Sequence, residues 1–181
     1  MNAVNFLVNT LFDLYIMVIL LRVWLQLARA DFYNPFSQFI VKATQPVVGP
    51  LRRMIPSLGG LDIATILFAV VVAALKVITL SLMMNYGIDP VVTLISALVI
   101  VITAAFKLVF WVLVLRAILS WVSRGQNPIE AVMIQLSEPL LSPIRRILPP
   151  LGGLDLSIVV VLLGLQFLEI LLNDVIARFL G

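Results

Sequence analysis

Glu138-Pro-Leu-Leu-Ser-Pro-Ile-Arg-Arg-Ile-Leu-Pro-Pro-Leu-Gly-Gly-Leu-Asp155 is a proline-punctuated, doubly basic segment that leads straight into an apolar run. It occurs twice. Gln45-Pro-Val-Val-Gly-Pro-Leu-Arg-Arg-Met-Ile-Pro-Ser-Leu-Gly-Gly-Leu-Asp62 aligns with it without a gap at an offset of 93. Pro46/Pro139, Pro50/Pro143, Arg52/Arg145, Arg53/Arg146, Pro56/Pro149, Gly59/Gly152, Gly60/Gly153 and Asp62/Asp155 coincide, and the match reaches back to Asn34-Pro35 and Asn127-Pro128. The chain therefore reads as a tandem duplication of one unit, 1–87 and then 88–181. Each unit is a helix, a loop carrying the Pro/Arg-Arg/Gly-Gly-Asp motif, and a second helix.

Composition decides the solvent. Hydrophobic residues make up 62% of the 181 and charged residues 12%, more apolar side chain than a water-soluble core of this size can hide. A membrane protein is expected. The sequence has no cysteine and no histidine, which removes disulfides, thiolate or imidazole metal ligation, a cysteine nucleophile and the usual general base. That weighs against an enzyme, and neither a cofactor nor a metal is expected. The net charge is only +3, and the basic residues flank apolar runs, so they read as topology signals and not as a nucleic-acid surface.

Four apolar runs, 5–28, 62–85, 91–122 and 155–179, are long enough to cross a hydrocarbon core of about 30 Å at about 1.5 Å per helical residue. The first is too long for a signal-peptide core and is read as retained. Ionisable residues interrupt these runs at Asp13, Arg22, Lys76, Lys107, Arg116, Glu169 and Asp174. Asp174 and Arg178 stand at i, i+4 and are expected to pair.

Between the spans, Asn34-Pro35 and Asn127-Pro128 read as helix starts, with asparagine as N-cap and proline at the first helical position. Apolar residues follow at Phe36, Phe39, Ile40 and Ala43, and at Ile129, Val132, Met133 and Leu136. This is the i, i+3, i+4, i+7 pattern of a one-sided helix, so 35–44 and 128–137 are expected to lie flat in the headgroup region. Pro46 and Pro139 are read as ending them, and Gly-Gly as turning the chain toward the membrane. Asp62 and Asp155 then cap the next spans.

The long loops carry Arg29, Lys42, Arg52 and Arg53, and Arg124, Arg145 and Arg146, whereas the 85–90 turn and the termini are poor in basic residues. Both loops are thus expected on the cytoplasmic side and both termini on the other. The expected fold is an all-α membrane protein: four transmembrane helices in two parallel repeated hairpins, each with a short amphipathic interfacial helix in its cytoplasmic loop.

The doubled Pro-x-x-x-Pro-x-Arg-Arg-x-x-Pro-x-x-Gly-Gly-x-Asp motif, each copy set between two spans, resembles the YggT family of bacterial inner-membrane proteins, related to the YlmG proteins of cyanobacteria and plastids. The resemblance covers essentially the whole chain. The family's Glu-Pro opening stands at Glu138-Pro139, while the first unit has Gln45-Pro46. The resemblance implies a multipass inner-membrane protein connected with tolerance of osmotic stress and with ion uptake, and in relatives with the cell-division gene neighbourhood and plastid membrane assembly. It implies no reaction.

Two functional expectations follow. In the first, an assembly or interaction factor uses its interfacial helices and Arg-Arg turns to hold anionic lipid headgroups, another membrane protein or a second copy of itself, each arginine contributing on the order of 1 kcal/mol near an anionic surface. The alternative is an ion (K+ or proton) transporter or channel. Lys76 superposes on Glu169 at an offset of 93, and Asp13 on Lys107 at 94, the offset that also superposes Arg22 on Arg116. All four lie at a similar depth, roughly 20 Å in at about 1.5 Å per residue. Asp13, Lys76, Lys107 and Glu169 are therefore expected to form one charge-balanced layer that fixes hairpin packing and lines any ion path.

Overall fold

The computed structural model describes residues 3–122, 127–148 and 155–180. Its elements are α1 (Ala3–Leu27), α2 (Pro35–Met54), α3 (Ile63–Met83), α4 (Pro90–Val122), α5 (Pro128–Arg145) and α6 (Leu156–Leu180). Among the described residues every named element is helical. Four of them, α1, α3, α4 and α6, are long and apolar enough to cross a membrane. Their surfaces match hydrocarbon: Phe6, Leu7, Leu11 and Leu14 on α1 and Leu163, Phe167 and Ile170 on α6 are each more than half exposed. Contiguous apolar surface of this extent suits lipid and not water.

The chain divides into two compact units, 1–108 and 109–181, with the boundary inside α4 between Leu108 and Val109. The sequence repeat divides at 87/88 instead, in the turn before α4. The long third apolar run is one helix of 33 residues, because neither proline nor glycine interrupts it beyond its first position.

In the first unit α1 packs along α3, and α2 lies against both. Ile16, Ile19, Leu20 and Val23 of α1 meet a face of α3 built from Ala64, Phe68, Ala69, Val72 and Ala73, all buried. Small residues permit this close approach between spans, since lipid supplies no hydrophobic drive to press them together. Tyr15 meets Phe68 edge to face with ring centroids 6.0 Å apart, and its hydroxyl donates to the Ala43 carbonyl at 3.3 Å. The second unit has its own small core, Leu113 of α4, Leu141 of α5 and Ile158 of α6, flanked by Val109, Ala117 and Val161.

The caps follow the sequence closely. Asn34 accepts from the Phe36 amide at 2.9 Å and Asn127 from the Ile129 amide at 2.9 Å, each with proline at the first helical position. α1 ends in a Schellman turn: the Ala30 amide bonds back to Leu25 and the Arg29 amide to Gln26, with Arg29 at a φ of 50°. This is the left-handed geometry that usually selects glycine or asparagine. Asn85, at a φ of 56°, does the same after α3.

Two expectations are corrected. Pro46 and Pro139 do not end the loop helices: α2 continues to Met54 with Pro46 and Pro50 inside it, and α5 to Arg145 with Pro139 and Pro143 inside it. An internal proline costs about 3 kcal/mol because it removes one N–H and crowds the carbonyl four residues back. Here the prolines are exposed, and so are Lys42, Pro46, Gln135 and Pro139, whose carbonyls they crowd. No backbone group is thereby stranded in an apolar core. The second correction is that Asp174 and Arg178 do not pair. Among the described residues neither makes an ion pair, and both are exposed, a setting in which such a pair contributes little.

The apolar stripe on the loop helices divides in two. In α2 the buried line is Ser37, Ile40, Thr44 and Val48, while Phe39 is 64% exposed and Met54 79%. In α5 Val132, Met133, Leu136, Ser137 and Leu141 are all buried. Phe39 and Val132, equivalent in sequence, thus sit in opposite environments.

Candidate functional site

Each unit holds two guanidinium clamps, the first of them built from motif residues. The first joins the loop helix to the span that follows it. Arg52 near the end of α2 donates from Nε to Asp62 Oδ2 at 2.9 Å, and from Nη2 to the same oxygen. Asp62 is the N-cap of α3, accepting from the Thr65 amide at 3.3 Å and from the Thr65 hydroxyl. In the second unit Arg145 donates from Nε to Asp155 Oδ2 at 3.0 Å, and also from Nη2. Asp155 takes the Ser157 amide at 3.1 Å and the Ser157 hydroxyl. One carboxylate thus caps a span and fastens the loop helix to it.

Burial alone would raise the Asp62 carboxyl. Hydrogen bonds from Arg52 and from the hydroxyl and amide of Thr65 outweigh it and hold the group below the usual carboxylate value. Asp155 is held low in the same way, with burial opposed by Arg145 and Ser157. Its hydrogen bond with Asp155, opposed by burial but aided by both carboxylate charges, keeps Arg145 the more firmly protonated.

What turns the chain into this clamp is the Gly-Gly pair. Leu58 and Leu61 exchange backbone hydrogen bonds of 3.1 and 2.9 Å across Gly59 and Gly60, which take φ of 59° and 87°. Two successive positive φ values are those of a type I′ turn, for which glycine is suited. Gly152 and Gly153 lie outside the described residues. The second arginine of each pair, Arg53 and Arg146, is exposed.

The other clamp joins the loop helix to the span before it, and sequence reasoning missed it. Arg22, only 3% exposed in α1, donates to Thr44 Oγ1 and Gln45 Oε1 at 2.7 Å each and to the Val41 carbonyl at 3.3 Å. Arg116 in α4, 8% exposed, donates to the Ser137 hydroxyl and to Glu138 Oε2 at 3.2 Å. The signal lay in the sequence: Arg22 and Arg116 superpose, and each repeat has a hydroxyl residue followed by Gln or Glu just before its first internal proline. In the second unit Glu138 also accepts from Arg145 Nη1 at 3.0 and 3.1 Å. Arg116, Glu138, Arg145 and Asp155 therefore form one alternating chain of charges.

Of the four residues expected in a charge layer, three stand in the first unit. Lys76 Nζ lies 2.5 Å from Asp13 Oδ1, and Asn9 donates to the other Asp13 oxygen at 3.3 Å. Lys107 joins Asn9, Asp13, Lys76 and Thr103 in lining a cavity of about 330 Å³. Glu169 stands on α6 in the second unit, half-buried.

The sequence profile of the CCB3/YggT family matches residues 1–83 and 95–176. An uncharacterized protein of Vibrio alginolyticus, described as lying in the proC 3′ region, is 60% identical over 178 residues, covering 97% of this chain and 96% of its own. The uncharacterized protein YggT of Escherichia coli is 47% identical over 176 residues, 97% and 92% of the two chains. An uncharacterized protein of Pseudomonas aeruginosa is 42% identical over 183 residues, 99% and 93%. No solved structure matches. With a profile match over most of its length and relatives this similar from end to end, the chain belongs to the CCB3/YggT family.

Proposed function

We propose that this is a non-enzymatic protein of the bacterial inner membrane that supports envelope homeostasis and tolerance of osmotic stress as an assembly or interaction factor. The observation that carries the reading is the doubled clamp. In each unit a loop helix is fastened by buried or half-buried arginines both to the span before it and to the span after it. A surface held at both ends presents its exposed groups in fixed register, which is what recognition needs and a mere tether does not. The exposed groups are Arg53 and Arg146, and on α2 the ridge of Phe39, Val47 and Met54. In this reading the two hairpins are repeated and parallel, and the loop helices are amphipathic elements lying in the cytoplasmic interface among anionic headgroups. Another membrane protein or a second copy of the chain docks on them, and both termini face the periplasm.

The test is photocrosslinking from positions 53 and 146 in native membranes, together with growth of a deletion strain at high osmolarity. A defined membrane protein or anionic lipid captured by the wild-type loops and lost with Arg53→Glu and Arg146→Glu supports the proposal. Rescue of growth by a variant in which the first arginine of each pair, Arg52 and Arg145, is replaced by alanine would count against it.

A second reading, an ion or proton path, has its own observation. Asn9, Asp13, Lys76 and Lys107 share one cavity within the spans, and ionisable groups at that depth are expensive unless used. Purified protein in proteoliposomes should then pass K+ or protons, and Lys76→Met should abolish the flux. Flux equal to that of protein-free vesicles would end this reading.

A further inference from the structure

The two units differ in charge at one position of their clamps, Gln45 against Glu138, and the difference leaves a positive hole in the first. In the second unit Glu138 places a carboxylate between two guanidiniums, with Oε2 3.2 Å from Arg116 and 3.0 Å from Arg145. In the first unit the equivalent residue is Gln45, which is neutral. The partners that Arg22 finds there are the Thr44 hydroxyl, the Gln45 amide oxygen and the Val41 carbonyl, none of them charged. Asp62 is already engaged by Arg52 and Thr65. A cavity of about 350 Å³ opens at this place, lined by Arg22, Gln26, Phe32, Val41, Gln45 and Arg52.

We infer that this cavity is a binding site for a phosphate oxyanion, seated beside the Gln45 carboxamide and between Arg22 and Arg52, where it supplies the negative charge that Glu138 supplies in the second unit. The site is built: Arg22 is 3% exposed, and Gln26 accepts from Arg52 Nη2 at 2.8 Å, which holds that guanidinium at the cavity wall. Two guanidiniums facing one space match phosphate oxygens with paired, charge-assisted hydrogen bonds, and arginine suits this better than lysine. A water occupies about 30 Å³ of liquid, so a tetrahedral anion fits with room for bridging waters. Arg22 lies five residues before the end of α1, within about 8 Å of it at about 1.5 Å per residue. That is the depth of phospholipid phosphates, so either a lipid headgroup or free phosphate can supply the group. The inference does not depend on the interaction reading: it concerns the cleft between Arg22 and Arg52 and not Arg53 and Arg146.

The test uses the full chain and two probes, phosphatidylglycerol in nanodiscs read by native mass spectrometry, and inorganic phosphate against chloride at equal ionic strength read by thermal shift of lipid-stripped protein. Gln45→Glu supplies the second unit's own carboxylate to the first. Wild type should bind one of the probes, and Gln45→Glu should bind it at least tenfold more weakly. Retention of phosphatidylglycerol with no phosphate effect identifies the lipid as the source. Stabilisation by phosphate identifies the free ion. Wild type binding neither probe, or Gln45→Glu binding as wild type does, overturns the site. Should Gln45→Glu not fold, Glu138→Gln decides: it should raise the bound anion from one to two, and no gain overturns the proposal.

Discussion

Arg52 closes on a single oxygen of Asp62, Nε and Nη2 both donating to Oδ2, while the other oxygen of that carboxylate caps α3. One residue thus serves two elements, and the ten-residue spacing recurs in Arg145 and Asp155. Replacing Asp62 by Asn separates the two roles, because asparagine still caps a helix but cannot balance the guanidinium. The loss of a buried pair is on the order of 3–5 kcal/mol. Arg52 is 41% exposed, so solvent screening brings the expected cost down to about 1–2 kcal/mol. Asp62→Asn should lower the midpoint of thermal unfolding in detergent by several degrees. An unchanged midpoint would mean that the clamp contributes nothing to stability.

The same carboxylates set an acid limit. Asp62 and Asp155 are held below their ordinary values, so each binds a proton less readily folded than unfolded. Stability from such a group is complete above the unfolded value, about 3.9, and is lost as pH falls through the lower folded value. Unfolding midpoints should therefore be insensitive to these groups down to about pH 4 and fall below it. The variant with both aspartates changed to Asn should start lower at pH 7 and lack that part of the acid decline. Parallel decline in variant and wild type would assign the acid sensitivity elsewhere.

The spans, the caps and the glycine turn were legible in the sequence because each follows from a local cause: run length, an asparagine before proline, two glycines before aspartate. The extent of α2 and α5 was not. Pro46 and Pro139 are helix breakers by propensity, and only their placement on an exposed side lets the helix run through them. Arg22 and Arg116 were visible as charges inside spans. That Arg22 reaches Thr44 and Gln45 depends on α2 folding back along α1, a tertiary fact with no local signature. The opposite exposures of Phe39 and Val132 were hidden for the same reason.

Asp13 and Lys76 come from different spans and meet at 2.5 Å, with Lys76 buried. An unpaired charge at this depth is costly in hydrocarbon, by several kcal/mol. Asp13→Lys or Lys76→Asp alone should reduce the level of folded protein in the membrane. The exchange of both restores neutrality and should recover much of that level. A double variant no better than either single one would show that the pair does not hold α1 to α3.

Phe39 and Val132 occupy the same place in the repeat, yet Phe39 is 64% exposed and Val132 0%. An aspartate at 132 would put a charge where no water reaches, so Val132→Asp should prevent folding or lower yield severely. Phe39→Asp should leave the fold intact and weaken only contact with the membrane surface or a partner. Melting curves and the membrane depth of a spin label at position 43 separate these effects. Equal destabilisation by both substitutions would contradict the asymmetry.

The orientation proposed for the spans can be tested at exposed sites that avoid strained backbone. Asn85 has a φ of 56°, so a cysteine there would carry a β-carbon into the left-handed region; Tyr86, 65% exposed, is the better reporter of the α3–α4 turn. Ser57 is exposed in the first motif loop, and Ile147, 79% exposed, reports the second. The sequence has no cysteine, so each single replacement is the only thiol. Arg29, Lys42, Arg52 and Arg53 in one loop, and Arg124, Arg145 and Arg146 in the other, contrast with the 85–90 turn, whose single charge is Asp89, and basic loops are retained in the cytoplasm. In intact spheroplasts a membrane-impermeant thiol reagent should label Tyr86→Cys and spare Ser57→Cys and Ile147→Cys until the membrane is opened. Labelling of the two loop positions with protection of position 86 would invert the orientation and place the clamps on the periplasmic side.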